Sequence, residues 1–533
     1  MAASPDIDGF SHDELKGLVL RLLEEQAEFR RTIGALRDEI ARLKGGPGRP
    51  DLKPNLKPSG MEQASQDRSS GAPSGDHKRR GPTLSKLTVH EERKLRADAP
   101  PGSRFKGYAD FLVQDLTLRP HVTHFKRECW LAPDGRTVTA PLPAGVDGHF
   151  GPELRRFVLA QYHQGQVTVA RLAGLLQGLG VVISKRQVVR LLIADKQGFV
   201  DEARDVLRAG LANAAWVTVD DTGARHKGKN GFCTQIGNSG FTHFATSGSK
   251  NRLNFLGLLR AGHGDYVVND EALAYMRAHH LAGPLIGRLR DHGTKVFADR
   301  AAWTAHLDRL GLTGLKVLPD AVTVATEGAL WGSVRSHGLL ANAVIVSDGA
   351  GQFDVGPHAL CWVHAERLVY KLDTFNDLQR AAQSRVRRLI WLFYGSLKAW
   401  SRNPSPARKA TLSARFDRIF GLRTGFATLD RLLTRLRAQK SELLMVLERP
   451  GIPLHTNGSE NDIRCQVTKR EISGGTRSDA GRDCRDAFLG ILKTCAKNGI
   501  AFWDYLGARL KVPGSMDIPE LGQTVSIRLA AKA

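Results

Sequence analysis

The sequence predicts a mixed α/β protein of several domains, and three observations lead there. The chain has 533 residues, enough for two to four domains at roughly 150 residues each. Short β-rich runs ending in acids, at 214–222 and 343–348, are separated by long stretches of helical periodicity. A seven-residue apolar repeat precedes both. Hydrophobic content of 41% and charged content of 25% are ordinary for globular proteins and exclude wholesale disorder.

From the N-terminus, Leu15, Leu22, Phe29, Leu36 and Leu43 recur every seven residues, predicting a coiled coil over 13–44 within a first segment 1–45. Residues 46–104 are rich in Gly, Pro, Ser and Lys at first and read as a flexible basic linker. Apolar runs broken by Pro133-Asp134-Gly135 suggest a small β-containing module over 105–150. Two helices follow within 151–205, VARLAGLLQGLG and SKRQVVRLLIAD, with Ser184 at an N-cap. Their spacing suits a helix-turn-helix that turns Lys185, Arg186, Gln187 and Arg190 toward DNA, although a plain helix hairpin has the same pattern.

The core is expected over 212–506. AAWVTVDDT, GFCTQIGN and GFTHFATS predict a three-stranded antiparallel meander. Helices are expected over about 254–340, a buried strand over 343–347, more helices over 369–449, and another after Asn457. Residues 507–533 read as a tail.

Lys and Arg number 77 against 54 Asp and Glu, a net charge of +23. Over half of it lies between Arg380 and Lys440, with fifteen Lys or Arg and only two acids. Aromatic residues interleave there, either as core positions or as stacking surfaces. The imbalance favours phosphate contact, with Arg387 and Arg388 among the basic groups. A second basic segment, 77–106, adjoins the linker. The sequence contains no apolar run of membrane length, and Met1 to Asp8 does not resemble a signal peptide. Six scattered cysteines make no disulfide framework, so a reduced, cytoplasmic protein is expected.

Asp220 and Asp221 end one strand, Asp348 ends another, and Glu460 opens a helix. Carboxylates so placed can hold two hard divalent cations for phosphodiester chemistry. Any one of them could equally be a turn residue. Gly223 to Lys229 approaches a phosphate-loop pattern but has Asn230 where Ser or Thr is needed, and a strand follows it, which excludes an NTPase. Cys361 and His364 have no second pair nearby for a closed zinc site.

VTVDDTG at 217–223, IVSDGAGQF at 345–353, ALCWVHAERL at 359–368 and IPLHTNGSENDIR at 452–464 resemble the insertion sequence 66 family of bacterial DDE transposases, in order and spacing. The resemblance continues to about 506. It implies a ribonuclease-H-like core with an α-helical insertion between the second and third acids. Carried over by motif, Asp220, Asp348 and Glu460 would bind two Mg²⁺ or Mn²⁺ ions and carry the catalysis, with Asp221 as the competitor for the first place. Cys361 and His364 would be structural, and Asn457, Arg464, Lys469 and Arg470 would approach DNA phosphate or the carboxylates. The implied activity is binding of terminal inverted repeats, strand cleavage and transfer into target DNA by a homo-oligomer, with accessory proteins of the element as further partners. The alternatives are a non-catalytic DNA-binding regulator and a stand-alone nuclease. This chain departs from the family in having only Cys129 before the core, where relatives carry a cysteine-rich segment. It also has Glu471 where a basic residue is usual.

Overall fold

The computed structural model describes residues 88–143, 146 and 148–531. The heptad segment and most of the linker therefore lie outside the described residues. From 88 to 128 the chain has no helix or strand and is exposed. The small β module reduces to one antiparallel pair, β1 (Cys129–Leu131) and β2 (Thr137–Thr139), about the Pro133–Gly135 turn.

Four helices follow: α1 (Pro152–His163), α2 (Val169–Gly178), α3 (Lys185–Ile193) and α4 (Gln197–Asn213). The second and third are the two helices of the expected helix-turn-helix. Thr168 caps α2, and Ser184 caps α3 through a full capping box with Gln187. Gln187, expected to face DNA, thus spends its side-chain oxygen on Ser184 N at 2.8 Å. Val188 and Leu192, one turn apart, are buried, which leaves Lys185, Arg186 and Arg190 outside. Ser184→Ala should cost about 1 kcal/mol, read as a lower urea midpoint. An unchanged midpoint would mean that the cap does not hold this helix.

The central sheet begins with β3 (Trp216–His226), β4 (Lys229–Gly237) and β5 (Thr242–Ser247) as an antiparallel meander. Lys227 and Gly228 form the β3–β4 turn with φ of 49° and 75°. Two positive φ values mark a type I′ hairpin, which is why Gly stands second and why no phosphate loop forms here. Helices α5 (Arg252–Leu259), α6 (Asp270–Ala278), α7 (Gly283–Asp291), α8 (Arg300–Arg309) and α9 (Ala321–Ser336) come next. A short antiparallel pair, β6 (Tyr266–Val267) and β7 (Val296–Phe297), is set among them. The chain then returns through β8 (Val344–Ser347) and β9 (His358–Leu360), completing a five-stranded sheet in the order β5-β4-β3-β8-β9, with β3, β8 and β9 parallel.

After β9 come α10 (Trp362–Tyr370), α11 (Asp377–Arg402), α12 (Pro406–Phe420), α13 (Ala427–Ala438) and the short α14 (Lys440–Leu443). The last four helices are α15 (Asn457–Ser473), α16 (Asp479–Lys497), α17 (Phe502–Arg509) and α18 (Leu521–Ala530). The supposed tail is therefore not a tail. Leu521, Val525 and Leu529, each one turn apart, bury α18 against α4. Among the described residues no helix is long and apolar enough to cross a membrane.

Two cores flank the sheet, and strand alternation divides the side chains between them. Val217, Val219 and Ile345 belong to one core, with α4, α9 and α16. Val344 and Val346 face the other, which is built from α10 to α14. In that second core Trp391, Tyr394, Trp400, Phe416 and Phe420 are all buried. The aromatic residues of the basic block are core positions and offer no stacking surface.

Candidate active site

The sheet itself determines how the acids meet. Trp216, Val217 and Thr218 of β3 pair in parallel with Val344, Ile345 and Val346 of β8. Continued by two residues, that register sets Asp348 opposite Asp220. Both then lie on the face of Thr218 and Val346, because side chains alternate. α15 crosses the same face, where Ser459 Oγ donates to Thr218 Oγ1 at 2.6 Å. Glu460, the next residue, sits in the first turn of α15. Burial, and then the charges of Asp348 and Glu460, push the Asp220 carboxyl up to about 6 against the Asp221 N–H and His364. Asp220 thus lies within the field of both other carboxylates.

Asp221 points the other way. Lys250 Nζ lies 2.8 Å from its Oδ1, and Gln352 Nε2 donates to its Oδ2 at 2.6 Å. A one-residue step along a strand changes face, so Asp221 is a paired neighbour of the acid group and Asp220 a member of it.

Asp348 is exposed, and its Oδ1 accepts the Ala350 N–H at 2.9 Å. Glu460 Oε1 lies 3.6 Å from both His364 Nε2 and Arg367 Nη2. That oxygen is buried and has no hydrogen-bond partner. A buried carboxylate oxygen left unbonded beside two more carboxylates suits a hard cation. The donor set is all oxygen, as Mg²⁺ or Mn²⁺ requires.

The Cys-x-x-His pair holds this arrangement from behind. Cys361 Sγ accepts the N–H of Thr456, the residue that opens α15, at 3.4 Å, and Trp362 N donates to Leu454 O at 3.0 Å. Burial opposes ionisation of Cys361, yet the neighbouring His364 draws its thiol below the ordinary value. Burial likewise opposes charging of His364, and Cys361 raises it on balance. Arg367 Nη1 donates to His364 Nε2 at 3.2 Å. The motif ties α10 to the start of α15 and so fixes where Glu460 stands.

The basic residues divide sharply. Lys185, Arg186, Arg190, Arg388 and Arg464 are exposed. Arg387 instead bonds Glu366 Oε1 at 2.5 Å and stacks over Tyr370. Arg470 donates to the backbone oxygen of Gly223, beside the acids on β3. Lys469 is a correction to the expectation from sequence. It is fully buried, with Nζ donating to Tyr162 O and lying 3.3 Å from the centre of the Tyr162 ring. Its position in α15 turns it toward α1, away from any DNA surface. Burial, and then Arg485, hold its ammonium down to about 7.

Stability depends on pH as a result. Between about pH 7 and pH 10 the unfolded chain binds a proton at Lys469 that the folded chain has lost, so stability rises with pH there, by up to about 1.4 kcal/mol per unit. Lys469→Met should flatten that rise when urea midpoints at about pH 7.5 and about pH 9.5 are compared. An equal rise in both proteins would exclude Lys469 as its source.

Other clusters do not include the three acids. His263, Asp265 and His337 bring three donor atoms within 4.8 Å of one another, as do Asp354, His358 and Glu442. A cleft of about 1130 Å³ lined by Arg155, Arg190, Lys196, Asp201 and Lys511 shares no residue with the acids.

A family model described as Transposase IS66 family matches residues 337–483. The protein named Uncharacterized protein y4jO, from Sinorhizobium fredii (strain NBRC 101917 / NGR234), is 50% identical over 329 residues, 62% of this chain and 100% of that relative. The chain belongs to the IS66 transposase family. No solved structure matches it. The family match spans Asp348, Cys361, His364 and Glu460, whereas Asp220 precedes it on β3. Membership in a transposase family implies DNA as the substrate class.

Sequence reasoning missed the partners that hold these groups. Arg367, Lys250 and Gln352 lie close in space and far apart in the chain from the acids they meet. Only the parallel β3–β8 register, visible as a spacing of 128 between both Thr218–Val346 and Asp220–Asp348, left a trace in the sequence.

Proposed function

We propose that the chain is a DDE transposase whose five-stranded sheet is a ribonuclease-H-like core. It binds the terminal inverted repeats of its element, cleaves a DNA strand to free a 3′-hydroxyl, and directs that hydroxyl at target DNA. The observation that supports this reading is the β3–β8 register, which, continued, sets Asp220 within β3 opposite Asp348 just past β8, on the face that α15 crosses with Glu460, both charges acting on Asp220. Strand ends at the centre of such a sheet are where α/β folds receive ligands.

Asp220, Asp348 and Glu460 would hold two Mg²⁺ or Mn²⁺ ions. Bound there, such a pair lowers the pKa of water and neutralises charge on a reacting phosphodiester. Asp348, the exposed member, faces incoming DNA. Arg367 and His364 restrain Glu460, and Arg470 braces β3 beside Asp220. Both displacements place a nucleophilic oxygen, phosphorus and leaving oxygen in line, so one rigid site serves both.

The exposed arginines of α11 to α13 hold the DNA backbone and displace its counterions. Lys185, Arg186 and Arg190 on α3 read the element ends. The heptad pattern at 13–44 supports pairing of protomers, which joining two ends requires. The test is incubation of the full chain with duplexes carrying the inverted repeats that bracket its reading frame. Mg²⁺-dependent nicking with a free 3′-hydroxyl, followed by joined products, is expected. Specific binding without nicking would replace this reading with that of a regulator, and cutting without joined products would indicate a nuclease.

A further inference from the structure

Beside Asp348 lies a chain of polar groups, buried at Ser347 and His358 and half-buried at Glu442, that the site described above does not use. Ser347 Oγ is 2.7 Å from His358 Nε2, and His358 Nδ1 is 2.8 Å from Glu442 Oε1. The order of serine, histidine and carboxylate is that of a hydrolase triad. Its burial excludes that role: Ser347 is 0% exposed, and Oγ already accepts the Gly349 N–H at 3.0 Å. A nucleophile must reach its substrate, and this hydroxyl cannot.

One assignment of the hydrogens, with Glu442 ionised, satisfies every contact. Glu442 can only accept, so His358 carries its proton on Nδ1 and donates it there. Nε2 then accepts the Ser347 hydroxyl hydrogen, which leaves Ser347 Oγ to accept from Gly349. The Gly349 N–H so held is the backbone link immediately after Asp348. Gly349 has φ of +89°, a conformation that other residues rarely adopt, so this turn needs Gly next to Asp348.

The far end of the chain lies in the basic insertion. Glu442 belongs to α14, which closes that block. Lys440 Nζ of α14 lies 2.7 Å from Asp417 Oδ2 of α12, and Trp362 Nε1 donates to Leu443 O at 2.9 Å. A shift of the insertion therefore moves Glu442. We propose that Glu442, His358 and Ser347 form a positioning relay, through which the seating of the basic insertion on DNA sets the turn that aims Asp348. The proposal rests on the reading of Asp348 as a metal ligand.

Three variants of the full chain test it, with Mn²⁺ binding followed by electron paramagnetic resonance and DNA affinity measured in parallel. Outer partners of metal ligands are typically worth about ten- to a hundredfold in affinity or activity. Glu442→Leu, which cannot accept the Nδ1–H, should weaken Mn²⁺ binding about tenfold and lower kcat, while KM for DNA changes less than twofold. Glu442→Gln keeps an acceptor oxygen and should restore most of both. Ser347→Ala breaks the same relay without altering the insertion, and should match Glu442→Leu should that variant fold poorly. Mn²⁺ affinity unchanged in both Glu442→Leu and Ser347→Ala, or Glu442→Gln as impaired as Glu442→Leu, would overturn the relay. Asp348→Asn serves as the reference: undiminished Mn²⁺ binding there would overturn the active-site reading on which the relay rests, a failure distinct from that of the relay itself.

Discussion

Asp220→Asn, Asp348→Asn and Glu460→Gln should each lower Mg²⁺-dependent strand cleavage about a thousandfold or more, with binding of end DNA preserved. The size follows from what the carboxylates do. Each amide keeps the shape of the side chain and removes one negative charge from a set in which Asp348 and Glu460 both act on Asp220. A loss of about 4 kcal/mol of metal-mediated transition-state stabilisation corresponds to about a thousandfold in rate. Asp221→Asn provides the contrast. It weakens an ion pair with Lys250 and a hydrogen bond from Gln352 on the opposite face of β3, so its effect should stay within about tenfold. Single-turnover cleavage of a labelled duplex measures all four. A reversed order, with Asp221→Asn the more damaging, would move the first metal ligand by one residue.

The second large effect concerns the basic insertion. Arg385 and Arg388 on α11 and Arg431 and Arg435 on α13 are exposed, above a core in which every interleaved aromatic is buried. Their chemistry toward DNA is therefore electrostatic. Replacing all four by Ala should make the slope of log affinity against log salt shallower by about 3 to 4, at about 0.9 for each phosphate no longer neutralised. At moderate salt the affinity should fall at least a hundredfold, for element ends and unrelated duplexes alike, because phosphate contacts carry no sequence information. A slope unchanged by the four replacements would place the DNA elsewhere. Arg387→Ala should act differently, since that side chain bonds Glu366 and covers Tyr370 and so contributes to packing within the insertion.

Where local pattern determines structure, the sequence was legible. The meander, the β8 strand, the two helices about Ser184 and the helix after Asn457 all follow from apolar periodicity and capping residues in the chain. The acids could be found because each ends an apolar run or opens a helix. What stayed hidden depends on distance in the chain. Nothing local distinguishes Lys469 from Arg464, both cations on one helix, yet packing of α15 on α1 buries the first and leaves the second outside. The β9 strand at His358–Leu360 is only three residues long, too short to show a period. Which of Asp220 and Asp221 shares a face with Asp348 turns on strand phase, set by pairing with the parallel partner β8. The docking of α18 was missed because its apolar stripe is only three residues deep.

The most direct test of the central claim, that Asp348 ligates a catalytic metal ion, is exchange of its ligand atom. Asp348→Cys replaces a hard oxygen with a soft sulfur, which Mg²⁺ avoids and Mn²⁺ accepts more readily. Strand cleavage by this variant should be lost in Mg²⁺ and partly regained in Mn²⁺, while Asp221→Cys cleaves comparably in both. Cleavage by Asp348→Cys at the wild-type rate in Mg²⁺, or its absence in both metals with DNA binding intact, would contradict the assignment.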